Sequence, residues 1–246
     1  MNSPEKDLHQ VKPKIIDEQT SEVEINMDEY LKKEELNQRI AKYIKENPAF
    51  LIKTLQEYQN KQNQLEQEKI SNQNLSNIEK LNLQNHSMFI GNANSDIQIF
   101  EFVDYNCGYC LKFHNEVSSV ISKENSLKLV IIQMPILGKM SDELSKLALA
   151  SSLQGKFNEV HNYLYSSNRK SRMEDIYADL FLMDVDLNQL EKDLKSEAVL
   201  QLSSKHSNIV EDFKFTGTPA IIIGNTIIPG FIKADKISEI LEKEFF

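Results

Sequence analysis

The chain contains no tryptophan, only two cysteines and only seven glycines, none of them before Gly91. With Cys107 and Cys110 alone available, one chain can form a single disulfide and no further structural one. No apolar run approaches the ~18 residues that a membrane-spanning helix needs. Acidic residues outnumber basic ones, and the formal net charge of −9 argues against nucleic acid or an anionic membrane as the main partner. Cysteine chemistry, if present, is therefore confined to one pair.

The beginning of the sequence lacks an apolar segment. Residues 1–7 are polar, so no signal peptide is visible. Residues 1–28 are charged and polar with little periodicity, and we interpret them as a mobile tail. Two interpretations stay open at this point: a cytosolic protein, or a chain from which a signal peptide was removed.

Residues 29–84 have a composition typical of helices, rich in Glu, Lys, Gln, Asn and Leu. The composition changes sharply near residue 85, which predicts a domain boundary. Apolar residues recur at helical spacing in two groups, and Asn47-Pro48 between them predicts a break. Such narrow apolar stripes cannot bury enough area alone, so we expect self-association through residues 29–84. The alternatives are a solvated linker and docking within the chain. The stripe residues are Leu31, Leu36, Ile40 and Ile44, then Phe50, Leu51, Leu55, Tyr58 and Leu65.

The cysteine pair lies between two different hydrophobic patterns. Residues 97–103 predict a buried strand, whereas the apolar residues after Cys110 recur at helical spacing. Both cysteines should therefore lie in the first turn of a helix, where backbone N–H groups lack partners and carry partial positive charge. A thiolate is stabilised there, so we expect a lowered pKa and a nucleophilic Cys107. The two-residue spacer lets Cys110 close a small, reducible disulfide.

The remaining sequence predicts a mixed α/β domain. A short strand is predicted at 88–91. The strand at 97–103, the helix after Cys107 and a further strand at 127–136 follow in an order that predicts a parallel βαβ unit. Residues 140–212 contain helical patterns only. A hairpin with a Gly-Asn turn follows at 220–228, and an amphipathic helix closes the chain at 234–245.

The stretch Phe102-Val-Asp-Tyr-Asn-Cys107-Gly-Tyr-Cys110 resembles the active site of the thioredoxin superfamily, and its flanks resemble the DsbA-like branch. Glu101, six residues before Cys107, and Thr218-Pro219, before an isoleucine-rich strand, match two further family positions. The resemblance implies a thioredoxin fold at 85–246 with an all-helical insertion at about 140–212, preceded by an N-terminal α-helical extension. It also implies a periplasmic protein whose signal peptide was removed, with the cytoplasm as the alternative.

The resemblance implies roles for individual residues. Cys107 and Cys110 would exchange disulfides, Glu101 would relay protons to Cys110, and a cis Pro219 would help to hold substrate backbone. Separately, Asp104 is expected to tune the pKa of Cys107, and His114 to be a surface or packing residue. The predicted catalytic residues are Cys107, Cys110 and Glu101, the substrate-binding residues Thr218 and Pro219, and the redox-tuning residues Gly108 and Tyr109.

The expected function is that of a thiol–disulfide oxidoreductase that forms or rearranges disulfides in unfolded or misoxidised proteins. It would depend on a redox partner protein and would need no metal or soluble cofactor, since its redox group is the Cys107–Cys110 disulfide. Oxidase, isomerase and reductase all stay open. The resemblance favours isomerase, because relatives with an oligomeric extension and a threonine before the proline often rearrange disulfides. The alternatives are a cytosolic dithiol reductase and a non-enzymatic chaperone or scaffold protein that uses the helical extension.

Overall fold

The computed structural model describes residues 27–124, 126–166 and 169–246, with side chains described from Lys32 onwards. The chain divides into two compact units between Lys69 and Ile70. The predicted mobile tail lies outside the described residues, apart from its last two positions, which begin the first helix.

The N-terminal unit consists of α1, Met27–Glu46, and most of α2, Pro48–Asn82. The break predicted at Asn47 is confirmed, and the Asn47 side chain donates a hydrogen bond to the carbonyl of Tyr43 at 2.9 Å. The apolar stripes from Leu36 onwards are exposed to solvent. No helix in the described part of the chain is both long and apolar enough to span a membrane.

The second unit begins at Ile70, earlier than the boundary expected near residue 85. The last turns of α2 explain the difference, because Ile78 and Leu81 are buried in a hydrophobic cluster with sheet residues. In addition, the Asn77 amide donates to the carbonyl of Asp212 at 2.7 Å. The end of α2 is thus part of the α/β core.

Five strands form one sheet in the order β1-β3-β2-β4-β5. They are β1, Phe89–Gly91; β2, Ile97–Val103; β3, Leu127–Gln133; β4, Ala220–Ile223; and β5, Thr226–Pro229. The central pair β2–β3 is parallel, as predicted, and the remaining pairs are antiparallel. Because β2 has neighbours on both edges and is covered on both faces, the last five of its seven residues are buried.

Helices cover both faces of the sheet. The helix α3, Gly108–Ile121, connects β2 to β3, and α9, Ala234–Phe245, closes the chain. Between β3 and β4 the described residues form helices only: α4, Lys139–Leu153; α5, Phe157–Leu164; α6, Met173–Leu182; α7, Leu187–Asp193; and α8, Glu197–Phe213. The predicted fold class, a thioredoxin-type α/β sheet with a helical insertion and an N-terminal helical extension, is confirmed.

Strand β3 ends at Gln133, before the predicted end at residue 136. The chain turns away there because the Asp104 carboxylate accepts hydrogen bonds from the backbone N–H groups of Ile136 and Leu137, at 2.8 and 2.9 Å. The other oxygen of Asp104 accepts from Asn106 N at 2.8 Å. Asp104 therefore joins two loops beside the cysteines, a structural role that was not predicted.

Candidate active site at the start of helix α3

Cys107 is the N-cap residue of α3, with an extended backbone at φ −83° and ψ 113°. Its N–H donates to the carbonyl of Asp104 at 3.0 Å, which closes the turn between β2 and the helix. The first turn of a helix presents N–H groups that have no intrahelical acceptor. The predicted junction of strand, cysteine and helix is therefore present.

The topology of the sheet brings Thr218-Pro219 to the same place. Since β4 runs antiparallel to β2, with Ala220 opposite Phe102, the residues that precede β4 lie at the edge where β2 ends. The Thr218–Pro219 peptide bond is cis, as the family resemblance implied. The Cys107 thiol donates to the carbonyl of Thr218 across 3.2 Å.

The surroundings of Cys107 lower the pKa of its thiol. Burial alone opposes ionisation, but the Thr218 side chain, the Cys110 thiol and the backbone N–H groups of Cys110 and Tyr109 together stabilise the thiolate more strongly. Cys107 is also partly exposed. It therefore combines the two properties that a nucleophilic cysteine needs, thiolate character and access.

Cys110 has the opposite character, because it is completely buried beneath the first turn of α3. Burial, and then the nearby Glu101 carboxylate, raise the pKa of its thiol far above the usual value. At neutral pH Cys110 is a protonated thiol that solvent does not reach. The two cysteines of one motif are thus chemically distinct.

Glu101 lies in the middle of β2, opposite Ile131 on one side and Ile221 on the other, and is fully buried. Neither carboxyl oxygen has a hydrogen-bond partner among the described residues. Burial, and then the charge of Cys107, raise the pKa of this carboxyl well above its usual value. Glu101 is therefore a buried acid that does not face solvent.

The two residues between the cysteines lie at the rim of the site. Gly108 has open space around its α-carbon, and Tyr109 is exposed. The Tyr109 ring lies 6.3 Å from that of Phe231, and the Lys112 ammonium lies 4.9 Å from the Tyr109 ring centre. The exposed side chain between the two cysteines thus contacts an aromatic ring and a cation.

A buried polar cluster beneath α3 was not predicted. Tyr105 Oη and His161 Nδ1 are 2.9 Å apart, and His161 Nε2 and His114 Nδ1 are 3.3 Å apart. Burial lowers the pKa of both histidines, so both are neutral at pH 7. His114 is buried, which agrees with the packing role that was one of its two predicted environments. His161 lies 56 residues from Tyr105 and carried no sequence signal.

No group of three or more histidine, cysteine or carboxylate side chains in the described part of the chain is arranged to hold a metal ion.

The family model described as Thioredoxin matches residues 83–243. A curated relative, the probable disulfide bond formation protein D of Bacillus cereus, is 27% identical over 169 residues, which cover 63% of this chain and 77% of that protein.

Two solved structures are similar to this chain. A thioredoxin-like oxidoreductase from Silicibacter pomeroyi DSS-3 has a TM-score of 0.59 and 27% identity, over 63% of this chain and 90% of that one. The thiol-disulfide exchange protein alpha-DsbA2 from Wolbachia pipientis has a TM-score of 0.62 and 24% identity, over 70% of this chain and 96% of that one. The predicted resemblance is thereby confirmed: the fold is that of thioredoxin-like proteins, and the curated relative is named for disulfide bond formation. Because the family model matches more than half of its residues, the chain belongs to the thioredoxin family.

Proposed function

We propose that this protein is a thiol–disulfide oxidoreductase that forms or rearranges disulfide bonds in other proteins. The observation that carries the proposal is the contrast within one motif: an accessible Cys107 whose pKa is lowered and a buried Cys110 whose pKa is raised. Such a pair divides the work of exchange between an attacking sulfur and a resolving one. The names of the similar proteins, disulfide bond formation protein D and thiol-disulfide exchange protein, support the same reaction.

In the reducing direction, the Cys107 thiolate attacks a substrate disulfide, and one substrate sulfur leaves as a thiolate. Cys110 then loses its proton and attacks Cys107, which releases the second substrate thiolate and closes the Cys107–Cys110 disulfide. In the oxidising direction the same steps run backwards. Isomerisation uses only the formation and the release of the mixed disulfide with Cys107. The substrate forms a different disulfide and frees Cys107 before Cys110 attacks.

Glu101 is the group we propose to accept the proton of Cys110. The Cys110 thiol is too weak an acid to ionise unaided at neutral pH. The negative charge of Glu101 raises the pKa of this thiol further, so the two groups interact electrostatically. A carboxylate whose pKa is raised by burial is a stronger base than an exposed one, which favours transfer of the Cys110 proton to it.

We propose that the substrate binds as an extended segment beside Thr218 and Pro219. A groove runs along the chain before and after these two residues, from Phe215 to Ala220, and Gly230 lies across from it. Proline has no N–H, so the backbone groups next to Pro219 are not committed to the sheet ladder and can pair with a substrate backbone.

Two serine variants test the reaction. Cys107→Ser should abolish reduction of a protein disulfide and reactivation of a scrambled substrate. Cys110→Ser should retain the attack and accumulate a mixed disulfide with the substrate, visible as a mass increase that dithiothreitol reverses. Full activity of the Cys107→Ser protein would contradict the proposal and favour a non-enzymatic chaperone or scaffold.

The direction of the reaction depends on the stability of the disulfide relative to the dithiol. Equilibration with glutathione buffers measures it: a reduction potential of about −120 to −180 mV matches oxidants and isomerases, and about −270 mV matches a thioredoxin-like reductant. We propose the former, with the protein located in the cell envelope and reset by a redox partner protein. A value near −270 mV would instead favour a cytosolic reductase.

A further inference from the structure

A small cavity opens beside Cys107, and none of its lining residues belongs to the Thr218 groove. Its volume is about 110 Å³, which is enough for one small polar group. The apolar part of its wall consists of Leu111 from α3 and Leu164 and Tyr165 from the end of α5. The polar part consists of Asn106, Ser166 and Arg169.

Arg169 is held firmly against the loop that leads into Cys107. Its Nη1 donates to the carbonyl of Tyr105 at 2.9 Å and to the side-chain oxygen of Asn106 at 3.3 Å. The Asn106 amide in turn donates to Ser141 Oγ at 3.0 Å. The guanidinium is therefore fixed next to the nucleophile rather than swinging freely in solvent.

The charge of Arg169 has no counter-ion in the described part of the chain, although the protein is acidic overall. No described carboxylate lies within ion-pair distance of Arg169, and no acidic residue lines the cavity. By contrast Arg172, three residues further on, is paired with Asp175 at 2.9 Å. A positioned, unpaired guanidinium at a cavity is the preferred partner of a carboxylate.

Two further groups in the cavity can bind an anion. The hydroxyl of Ser166 is buried and has no hydrogen-bond partner among the described residues. Gly108, at the N-terminus of α3, lines the same cavity, and the first N–H groups of a helix favour negative charge. Buried polar groups without partners are uncommon, so the Ser166 hydroxyl calls for an explanation, and a bound carboxylate supplies one.

We propose that this cavity binds a carboxylate carried within a few bonds of the sulfur that reacts with Cys107. The inference rests on the proposed thiol–disulfide exchange and specifies its substrates: small anionic thiols and their disulfides, or peptides with an acidic residue next to the reacting cysteine. Arg169 binds the carboxylate while the substrate sulfur faces Cys107.

The chemical step is unchanged by this binding. When the pair is oxidised, a bound substrate thiolate attacks Cys107; the new sulfur–sulfur bond forms, the Cys107–Cys110 bond breaks, and Cys110 leaves as a thiolate that takes up a proton. When the pair is reduced, the Cys107 thiolate attacks the bound disulfide, and the other half of that disulfide leaves as a thiolate.

The test compares an anionic with a neutral disulfide on the full-length reduced protein. Rate constants are measured for oxidation by glutathione disulfide, which carries carboxylates, and by 2-hydroxyethyl disulfide, which carries none. Because both reagents meet the same thiolate, their ratio cancels any change in the reactivity of Cys107. Arg169→Gln should lower this ratio about tenfold or more, as expected for the loss of a charged hydrogen bond. Arg169→Lys should lower it less, because the charge is retained.

Arg172→Gln is the matched control, since it removes the same charge three residues away and outside the cavity. It should leave the ratio unchanged, which separates local binding from attraction by the overall field. If Arg169→Gln slows both reagents equally, Arg169 merely supports the loop and the inference is overturned. If the unaltered protein reacts with neither reagent, the proposed function itself fails, which is a distinguishable result.

A second pair of reagents distinguishes the two sources of carboxylate. These are the disulfides of two short peptides, each used as a separate reagent. One peptide has Asp next to the cysteine, and the other has Asn there. If Arg169→Gln selectively slows the reaction with the Asp peptide, the site binds acidic protein segments. If it affects glutathione disulfide alone, the site is specific for the small thiol.

Discussion

Cys107 and Cys110 are three residues apart and differ in almost every property that controls thiol reactivity. Cys107 is partly exposed and surrounded by groups that favour its thiolate, whereas Cys110 is buried next to an acid. The start of the helix helps to stabilise the Cys107 thiolate. The sheet beneath the helix buries Cys110 and places Glu101 beside it. A motif of two cysteines is therefore a pair of unequal groups once it is placed on this fold.

The Thr218 side chain provides one part of this difference that can be removed on its own. Thr218→Val keeps the shape but removes the hydroxyl that stabilises the thiolate, so the pKa of Cys107 should rise. The thiolate fraction at a given pH below that pKa should fall accordingly. Titration of the thiolate absorbance near 240 nm measures it. Thr216→Val, at an exposed position two residues earlier, is the control and should leave the titration unchanged.

Glu101 should make stability depend on pH. Its pKa is raised in the folded protein, so the stability associated with it is fully present below the unfolded pKa near 4.5 and is lost as pH rises towards the folded pKa. Glu101→Gln should therefore be more stable than the unaltered protein at pH 7 but similar at pH 4. The difference in free energy of unfolding between the variant and the unaltered protein should grow by up to ~1.4 kcal/mol per pH unit.

Urea unfolding at both pH values measures this gap. Glu159→Gln removes the same charge from an exposed position on α5 and should show no such pH-dependent gap. A Glu101→Gln protein that is less stable than the parent at pH 7 would contradict the interpretation of Glu101 as an unsatisfied buried acid.

At the scale of elements, α2 belongs to both units of the protein. Its first part carries exposed apolar residues, and its last turns are buried in the α/β core. Low glycine content and helical composition are common to both parts, so composition does not distinguish them. Where the core begins depends on which turns of the helix meet the sheet.

Leu81 and Leu83 provide a matched pair for testing the role of α2. Leu81 is 1% exposed, and Leu83, two residues later, is 88% exposed. Leu81→Ala should lower the free energy of unfolding by about 2–4 kcal/mol, because it leaves a cavity in the core. Leu83→Ala should change it by less than about 0.5 kcal/mol. Denaturant unfolding measures both, and equal effects would contradict the assignment of this turn to the core.

At the scale of the whole molecule, the helices of the first unit leave their apolar stripes uncovered. Among residues 32–69, every described large apolar side chain of the stripes is exposed. Contiguous apolar surface of this kind usually marks an interaction site. We therefore expect these helices to associate with copies of themselves, as the sequence pattern suggested.

Charge placed on the apolar stripe tests this expectation. Leu51→Lys combined with Leu55→Lys should shift the sedimentation coefficient of the full chain to that of a monomer. Asn60→Lys combined with Gln64→Lys adds the same two charges on the opposite face of α2, about 2.5 helical turns further along, and should leave the assembly intact. If the unaltered chain already sediments as a monomer, association through these helices is wrong.

The sequence by itself determined the local structures, because each depends on residues that are neighbours in the chain. The strand before Cys107, the helix after it and the break at Asn47 all follow from short-range hydrophobic spacing or from proline. The resemblance to a known family added the expected roles of Thr218 and Pro219, which no local pattern contains.

Only the tertiary structure decided which distant residues meet. Thr218 lies 111 residues from Cys107 and reaches it because β4 is antiparallel to β2. Arg169 and His161 reach the site from the helical insertion, and nothing in their own neighbourhood of the sequence marks them. Burial of Glu101 and of Leu81 likewise depends on the layers that close over them. Burial and long-range contacts are properties of the packed chain. The difference in pKa between the two cysteines therefore depends on the tertiary structure.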